Sequence, residues 1–95
     1  METATVLALV KERLGIRTTV RDIYLTAIVA GVIEELEDEK GLVLDGTNPS
    51  HLLFVVDYAT WHYQSRDSNA GMPRHLQYRL HSFFVHNTVE QAAPL

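Results

Sequence analysis

Five histidines stand in the second half of the chain, at His51, His62, His75, His81 and His86. Imidazole is the side chain best suited to holding a transition metal or moving a proton near neutral pH. A helical metal pair needs ligands three or four residues apart, so that both rings leave one face. His75 and His81 are six apart, His81 and His86 five, and no His-Glu-x-x-His run occurs. The histidines therefore read as surface or half-buried side chains. With no cysteine in the sequence, thiolate nucleophiles, disulfides and cysteine-based zinc sites are excluded, a usage that fits a reducing compartment.

The carboxylates are the second candidate set. Glu34, Glu35, Glu37, Asp38 and Glu39 hold five of the 12 acids within six positions. Paired carboxylates do acid–base work when a pocket splits their pKa values, which an exposed helix end does not supply. At the C-terminal end of a helix the macrodipole also disfavours negative charge. The run is thus either a plain solvated face or a field presented to a partner. Asp57 lies in an apolar segment, with Thr60 and Gln64 on the same side. No nucleophile or oxyanion donor accompanies it, so it is expected to accept structural hydrogen bonds from an arginine or another helix. The glycines at 15, 31, 41, 46 and 71 are scattered and form no phosphate-binding loop. No catalytic, cofactor-binding or metal-binding residues are expected, and the chain does not read as an enzyme.

These residues must be positioned by helices, because no segment sustains period-two alternation. Val6, Leu7, Val10 and Leu14 recur at helical spacing over 3–14, and Gly15 fits a left-handed stop, with Ile16 folding back beyond it. Thr19 and Asp22 have capping-box spacing and open a second helix running to Lys40, stopped by Gly41. Such a helix, about 30 Å long, spans the whole domain. Its stretch Ala27 to Ile33 is apolar around the full circumference, which calls for burial on all sides or cover by a partner. Leu42, Val43 and Leu44 are expected to lie on the core as a short extended piece. Asn48-Pro49 signals a third helix to about Arg66, with Asn as cap and Pro in the first turn. A polar loop follows at 67–71. Pro73 opens a fourth helix with a Leu76, Leu80, Phe83, Phe84 stripe, whose pattern dissolves after His86 into a tail expected to be mobile.

The third helix is the most informative. Leu52, Val56, Ala59 and Tyr63 share one face. Phe54, Tyr58 and Trp61 share nearly the opposite face, at i, i+4, i+7 spacing. Either another part of the chain folds over this aromatic stripe, or a partner does, since Trp and Tyr are enriched among interface anchors. Phe54, Tyr58 and Trp61, with Ile28, Val29 and Val32 of the second helix, are taken as the candidate interface. The fold expected is all-α: a small four-helix domain with a long, central second helix and a short, flexible C-terminal tail.

Ninety-five residues allow one domain, over 1–95. A composition 46% hydrophobic and 21% charged is ordinary for a globular chain. The longest apolar run, Ala27 to Ile33, is far short of the ~20 residues of a membrane span. The N-terminus does not read as a secretory signal, and no lipidation motif is seen. A net charge of −4 weighs against a dedicated nucleic-acid binder, which needs a cationic face.

The order of these signatures resembles a known family. A short helix ends in Leu14-Gly15-Ile16, and a capped start over Thr19 to Asp22 leads into a long helix ending in acids, Tyr24 to Glu39. A loop with Pro49, an apolar helix carrying Val56-Asp57-Tyr58-Ala59, and a Pro-initiated last helix follow. Over about residues 4–86 this is similar to the head–tail connector (adaptor) proteins of long-tailed bacteriophages. The resemblance implies a non-enzymatic helical subunit that assembles with further copies of itself into a ring, typically twelvefold, beneath the portal protein. The ring would extend the DNA channel and present a docking face to a downstream head-completion or tail-completion protein. DNA would be passing cargo only, and no membrane or cofactor would be involved. The implied location is the virion, at the head–tail interface, with the host cytoplasm before assembly. On this reading Glu34, Glu35, Glu37, Asp38 and Glu39 would face the channel.

The alternative is a small helical DNA-binding or regulatory protein, its cue being Arg74, His75, Arg79 and His81 on the fourth helix. The segment from Asp67 to Met72 is too long and irregular for the tight turn of a helix-turn-helix. An enzyme with a hidden His/Asp site ranks last.

Overall fold

The computed structural model describes residues 1–66 and 71–92, without the side chains of 84 and 86–92. Four α-helices and one π-helical segment make up the fold: α1 (Thr3–Leu14), α2 (Asp22–Glu34) continued by the π segment (Glu35–Glu39), α3 (Pro49–Gln64) and α4 (Arg74–Ala92). Among the described residues there is no strand, and the fold is all-α. The loop expected at 67–71 lies outside the described residues except for Gly71, and so does the last part of the expected tail, 93–95. The fourth helix continues past His86 to Ala92.

Each element ends for a local reason. At the end of α1, Gly15 adopts φ 73°. Its N–H donates to the Glu12 carbonyl at 3.2 Å, and that of Ile16 to the Lys11 carbonyl at 2.9 Å. This is a Schellman stop, and Ile16 beyond it packs against the core. The second helix stops in a wider version of the same motif. Lys40 N–H reaches back to the Glu35 carbonyl and Leu42 N–H to that of Leu36, and Gly41 turns left-handed at φ 66°. Asn48 accepts the Ser50 N–H on its side chain and Pro49 fills the first turn of α3.

The start of α2 differs from the expected capping box. The helix begins at Asp22, its cap position is Arg21, and no side chain caps it. The Asp22 carboxylate accepts from Lys11 Nζ at 2.7 Å instead, so the acid that would complete the box ties α2 to α1. It still sits in the first turn, where the dipole favours it.

The expected centre of the fold also moves. α3 packs against α1, α2 and α4, and among the described residues α4 packs against α3 alone. The central helix is therefore the third. Phe54, Val55, Val56, Tyr58, Ala59, Thr60 and Tyr63 are all buried along it. α1 covers it with Val6 and Val10, and α2 with Leu25, Val29, Val32 and Ile33, followed by Leu36. Leu42 and Leu44 point inward while Val43 is 56% exposed, so the segment after Gly41 does lie on the core in extended form. α4 closes the remaining side: Leu76 is buried, and the Phe83 ring stacks on Phe54 with centroids 5.4 Å apart.

Asp57 holds three helices together. It accepts from Arg13 of α1, and from Arg79 of α4 at 2.5 Å. Arg79 also lies over the Phe54 ring, 5.5 Å from its centroid. The acid is thus the structural acceptor that its apolar surroundings suggest.

The left-handed Gly15 gives a direct test. A Cβ there meets no neighbouring atom, so only backbone strain opposes Gly15→Ala. The substitution is expected to cost about 1 kcal/mol, lowering the thermal midpoint by about 4–8 °C. Calorimetry measures it; an unchanged or raised midpoint would contradict the assigned stop.

Candidate functional site

The structure divides the candidate interface residues. Phe54 and Tyr58 are 1% and 3% exposed, and Val29 and Val32 are buried as well. These four belong to the chain's own core, and the expectation that they meet a partner is corrected: α3 is the middle helix, so both of its apolar faces are already covered. Ile28 and Trp61 are half-buried and pack against the same core.

The apolar surface of α2 lies elsewhere. Leu25, Val29, Val32, Ile33 and Leu36 define its inward face. The outward face, half a turn away, carries Ile23, Ala27, Ala30 and Gly31, all exposed. The full circumference between Ala27 and Ile33 is therefore not buried; its outer half consists of small residues. Larger apolar groups crowd the start of the helix, where Val20 is 86% and Ile23 89% exposed and Tyr24 is 47% exposed.

That end is firmly held. Lys11–Asp22 fixes it to α1. Arg21 donates to the Tyr63 hydroxyl, and the Arg66 guanidinium sits 4.1 Å from the Tyr63 ring centroid. Tyr24 contacts the same ring at 6.1 Å. Val20 and Ile23 are thus presented on a braced turn, with the exposed Arg17 and Arg21 nearby in sequence. Sequence reasoning missed them by concentrating on the unbroken run from Ala27. The available signal was phase: Ile23 is out of step with Leu25, Val29 and Val32.

The acidic run is likewise divided. Glu34, Asp38 and Glu39 are exposed, and Glu37 is half-buried. Glu35 turns inward and accepts a hydrogen bond from the Tyr58 hydroxyl at 2.5 Å. The expectation of five channel-facing acids is corrected for Glu35, which is spent on the core. At the end of the run, Asp38, Glu39, Lys40 and Gly41 form one wall of a groove of about 910 Å³, with Met72, Gln77, Leu80 and His81 on the other. Gln77 is oriented there by its side-chain N–H bond to the Met72 carbonyl, 2.7 Å.

Behind Glu35 lies a small polar island. Burial first, and Glu35 second, raise the pKa of the Tyr58 phenol far above its usual value. His62 packs at 5.0 Å from Tyr58 and 4.8 Å from Trp61, centroid to centroid. Its Nε2 is buried with no hydrogen-bond partner among the described residues. Burial depresses its pKa, and the Glu35 charge opposes that only in part.

The other histidines do not converge. His51 accepts the Asp45 N–H on Nδ1 at 3.0 Å and packs on Phe83. His75 and His81 are exposed, and the His86 side chain lies outside the described ones. Among the described residues no group of three or more His, Cys, Asp or Glu could hold a metal ion. No helix among them is long and apolar enough to cross a membrane. Arg79, counted above with a basic fourth helix, is engaged by Asp57. No family model matches this chain, and neither a curated protein nor a solved structure matches it.

His62 gives a pH prediction. The unfolded histidine takes a proton near 6.5 and the folded one only at lower pH. Between these values the unfolded chain binds more protons, so stability falls as pH drops below about 6.5 and levels off below the folded value. His62→Gln is expected to flatten that slope. Thermal melts from neutral to mildly acidic pH check it, and parallel curves for the two proteins would refute it.

Proposed function

We propose that this protein is a structural subunit of a bacteriophage virion, a head–tail connector (adaptor) that forms a ring beneath the portal and extends the DNA channel. The observation that carries the reading is the apolar surface left uncovered at the start of α2. Val20 and Ile23 are almost fully exposed on a rigidly braced turn, where a chain working alone gains nothing from large apolar groups. In this reading, that apolar surface is where another protein sits. The sequence resemblance supplies the identity of the assembly, and the order of four helices is compatible with it.

The roles of the inward-turned acids support an assembly role rather than a reaction. Asp57 and Glu35, the acids turned toward the interior, hold helices together through Arg13, Arg79 and Tyr58. A net charge of −4 suits a ring through which DNA passes without sticking, since like charges repel. In this reading the partners are further copies of the chain, the portal protein and a downstream completion protein. The subunit resides at the head–tail interface of the particle, after a period in the host cytoplasm.

Mixing the purified protein with the portal ring of the same phage, and imaging the product, tests the proposal. A ring of added density coaxial with the portal is expected, from a protein that alone is a monomer or small oligomer at low concentration. Absence of that density at millimolar protein, together with DNA binding that weakens steeply with salt, would replace the connector reading with a DNA-binding regulator.

A further inference from the structure

We propose that copies of this chain join head to tail, with the Val20–Ile23 projection of one copy seated in the groove between residues 38–41 and α4 of the next. The inference rests on the ring reading above and names the surfaces that would build the ring.

The two patches sit at opposite ends of one continuous helix. From Asp22 to Glu39 an α-helical rise of 1.5 Å per residue separates them by about 25 Å. They are complementary in chemistry. The projection offers Val20 at 86% and Ile23 at 89% exposure. The groove offers apolar Met72 and Leu80 to receive them. Charge selects the same pairing. Arg17 and Arg21 are exposed beside the projection, and Arg17 has no partner among the described residues. Asp38 and Glu39 are exposed on the groove's rim and outnumber the neighbouring Lys40, so the rim is net acidic. The acids lie where the helix dipole disfavours them, so their placement costs the isolated chain some stability that a cationic neighbour restores.

Because projection and groove are different surfaces, the contact is heterologous. Every copy added leaves one projection and one groove unfilled, so growth stops only when a ring closes. A contact centred on two aliphatic side chains and a few rim charges is small. Interfaces of this size are weak one at a time, which suits a subunit that circulates unassembled and closes its ring on a template.

The test is complementation, followed by sedimentation from micromolar to millimolar concentration with and without the portal ring. Ile23→Asp removes the projection and the double substitution Asp38→Lys, Glu39→Lys inverts the rim; all three positions are exposed, and matching thermal melts verify folding. Should Ile23→Asp fail to fold, Val20→Asp replaces it. The wild-type chain is expected to form species larger than dimers as concentration rises. Each variant alone should lose about thirtyfold or more in association, and an equimolar mixture of the two should stop at dimers, joined by the one intact pair of surfaces. Assembly of the wild type with undiminished assembly of both variants would overturn this inference and leave the ring reading standing. A mixture in which the variants do not pair, or a wild type that stops at dimers, would overturn the head-to-tail arrangement. A wild type that stays monomeric at every concentration and on the portal would overturn both.

Discussion

The whole architecture follows from one constraint: α3 is apolar on opposite faces, and each face must be taken out of water. Phe54, Val55 and Tyr58 on one side and Val56, Ala59 and Tyr63 on the other are all buried. Truncating a core aromatic such as Phe54 would typically cost ~3–5 kcal/mol, a large share of the net stability of a small domain. A helix of this kind can only be central, so α1, α2 and α4 are arranged around it. The polar groups it carries then fall between neighbours. Asp57 meets arginines from both α1 and α4, and the Tyr58 hydroxyl meets Glu35. One carboxylate shared by two guanidinium groups fixes the rotation of α1 and α4 about α3, while apolar packing alone would let them slide.

Once α3 takes the centre, α2 is pushed to the periphery, and this decides where the protein can meet others. A peripheral helix buries one stripe and shows the other. The outer stripe of α2 is small in the middle, at Ala27, Ala30 and Gly31, and bulky at its beginning, at Val20 and Ile23. The end of the same helix carries acids and flanks a groove. The molecule therefore has direction, with an apolar, arginine-flanked end and an acid-rimmed end.

Much of the fold was legible in the sequence because it is written in local stereochemistry. Gly15 and Gly41 mark stops that need a left-handed residue, and Asn48-Pro49 marks a start that needs a side-chain cap. The α1 stripe and the inward turn of Leu42 and Leu44 were legible from spacing alone. What periodicity does not carry is which helix is surrounded. The Ala27–Ile33 run and the Phe54–Trp61 segment both look apolar all round, and only assembly of the bundle decides between them; the smaller side chains of α2 ended up outside. The capping box at Thr19 failed for a similar reason, because a lysine eleven residues upstream competed for Asp22. At the candidate site the acidic run reads as one group in the sequence, although Glu35 turns inward to a phenol that only the tertiary fold brings near.

The π segment at Glu35–Glu39 has a consequence for how such a protein can vary. A π turn is an α-helix carrying one residue too many, here absorbed between the buried Leu36 and the left-handed Gly41. Loss of a single residue from this stretch would restore α-helical pairing and rotate everything beyond it by about 100°. The wall formed by Asp38, Glu39 and Lys40 would swing away from α4 while Leu25, Val29 and Val32 kept their places on the core. A one-residue deletion thus re-aims one end of the molecule, and because Leu42 and Leu44 beyond it are buried, it obliges the segment after Gly41 to repack as well.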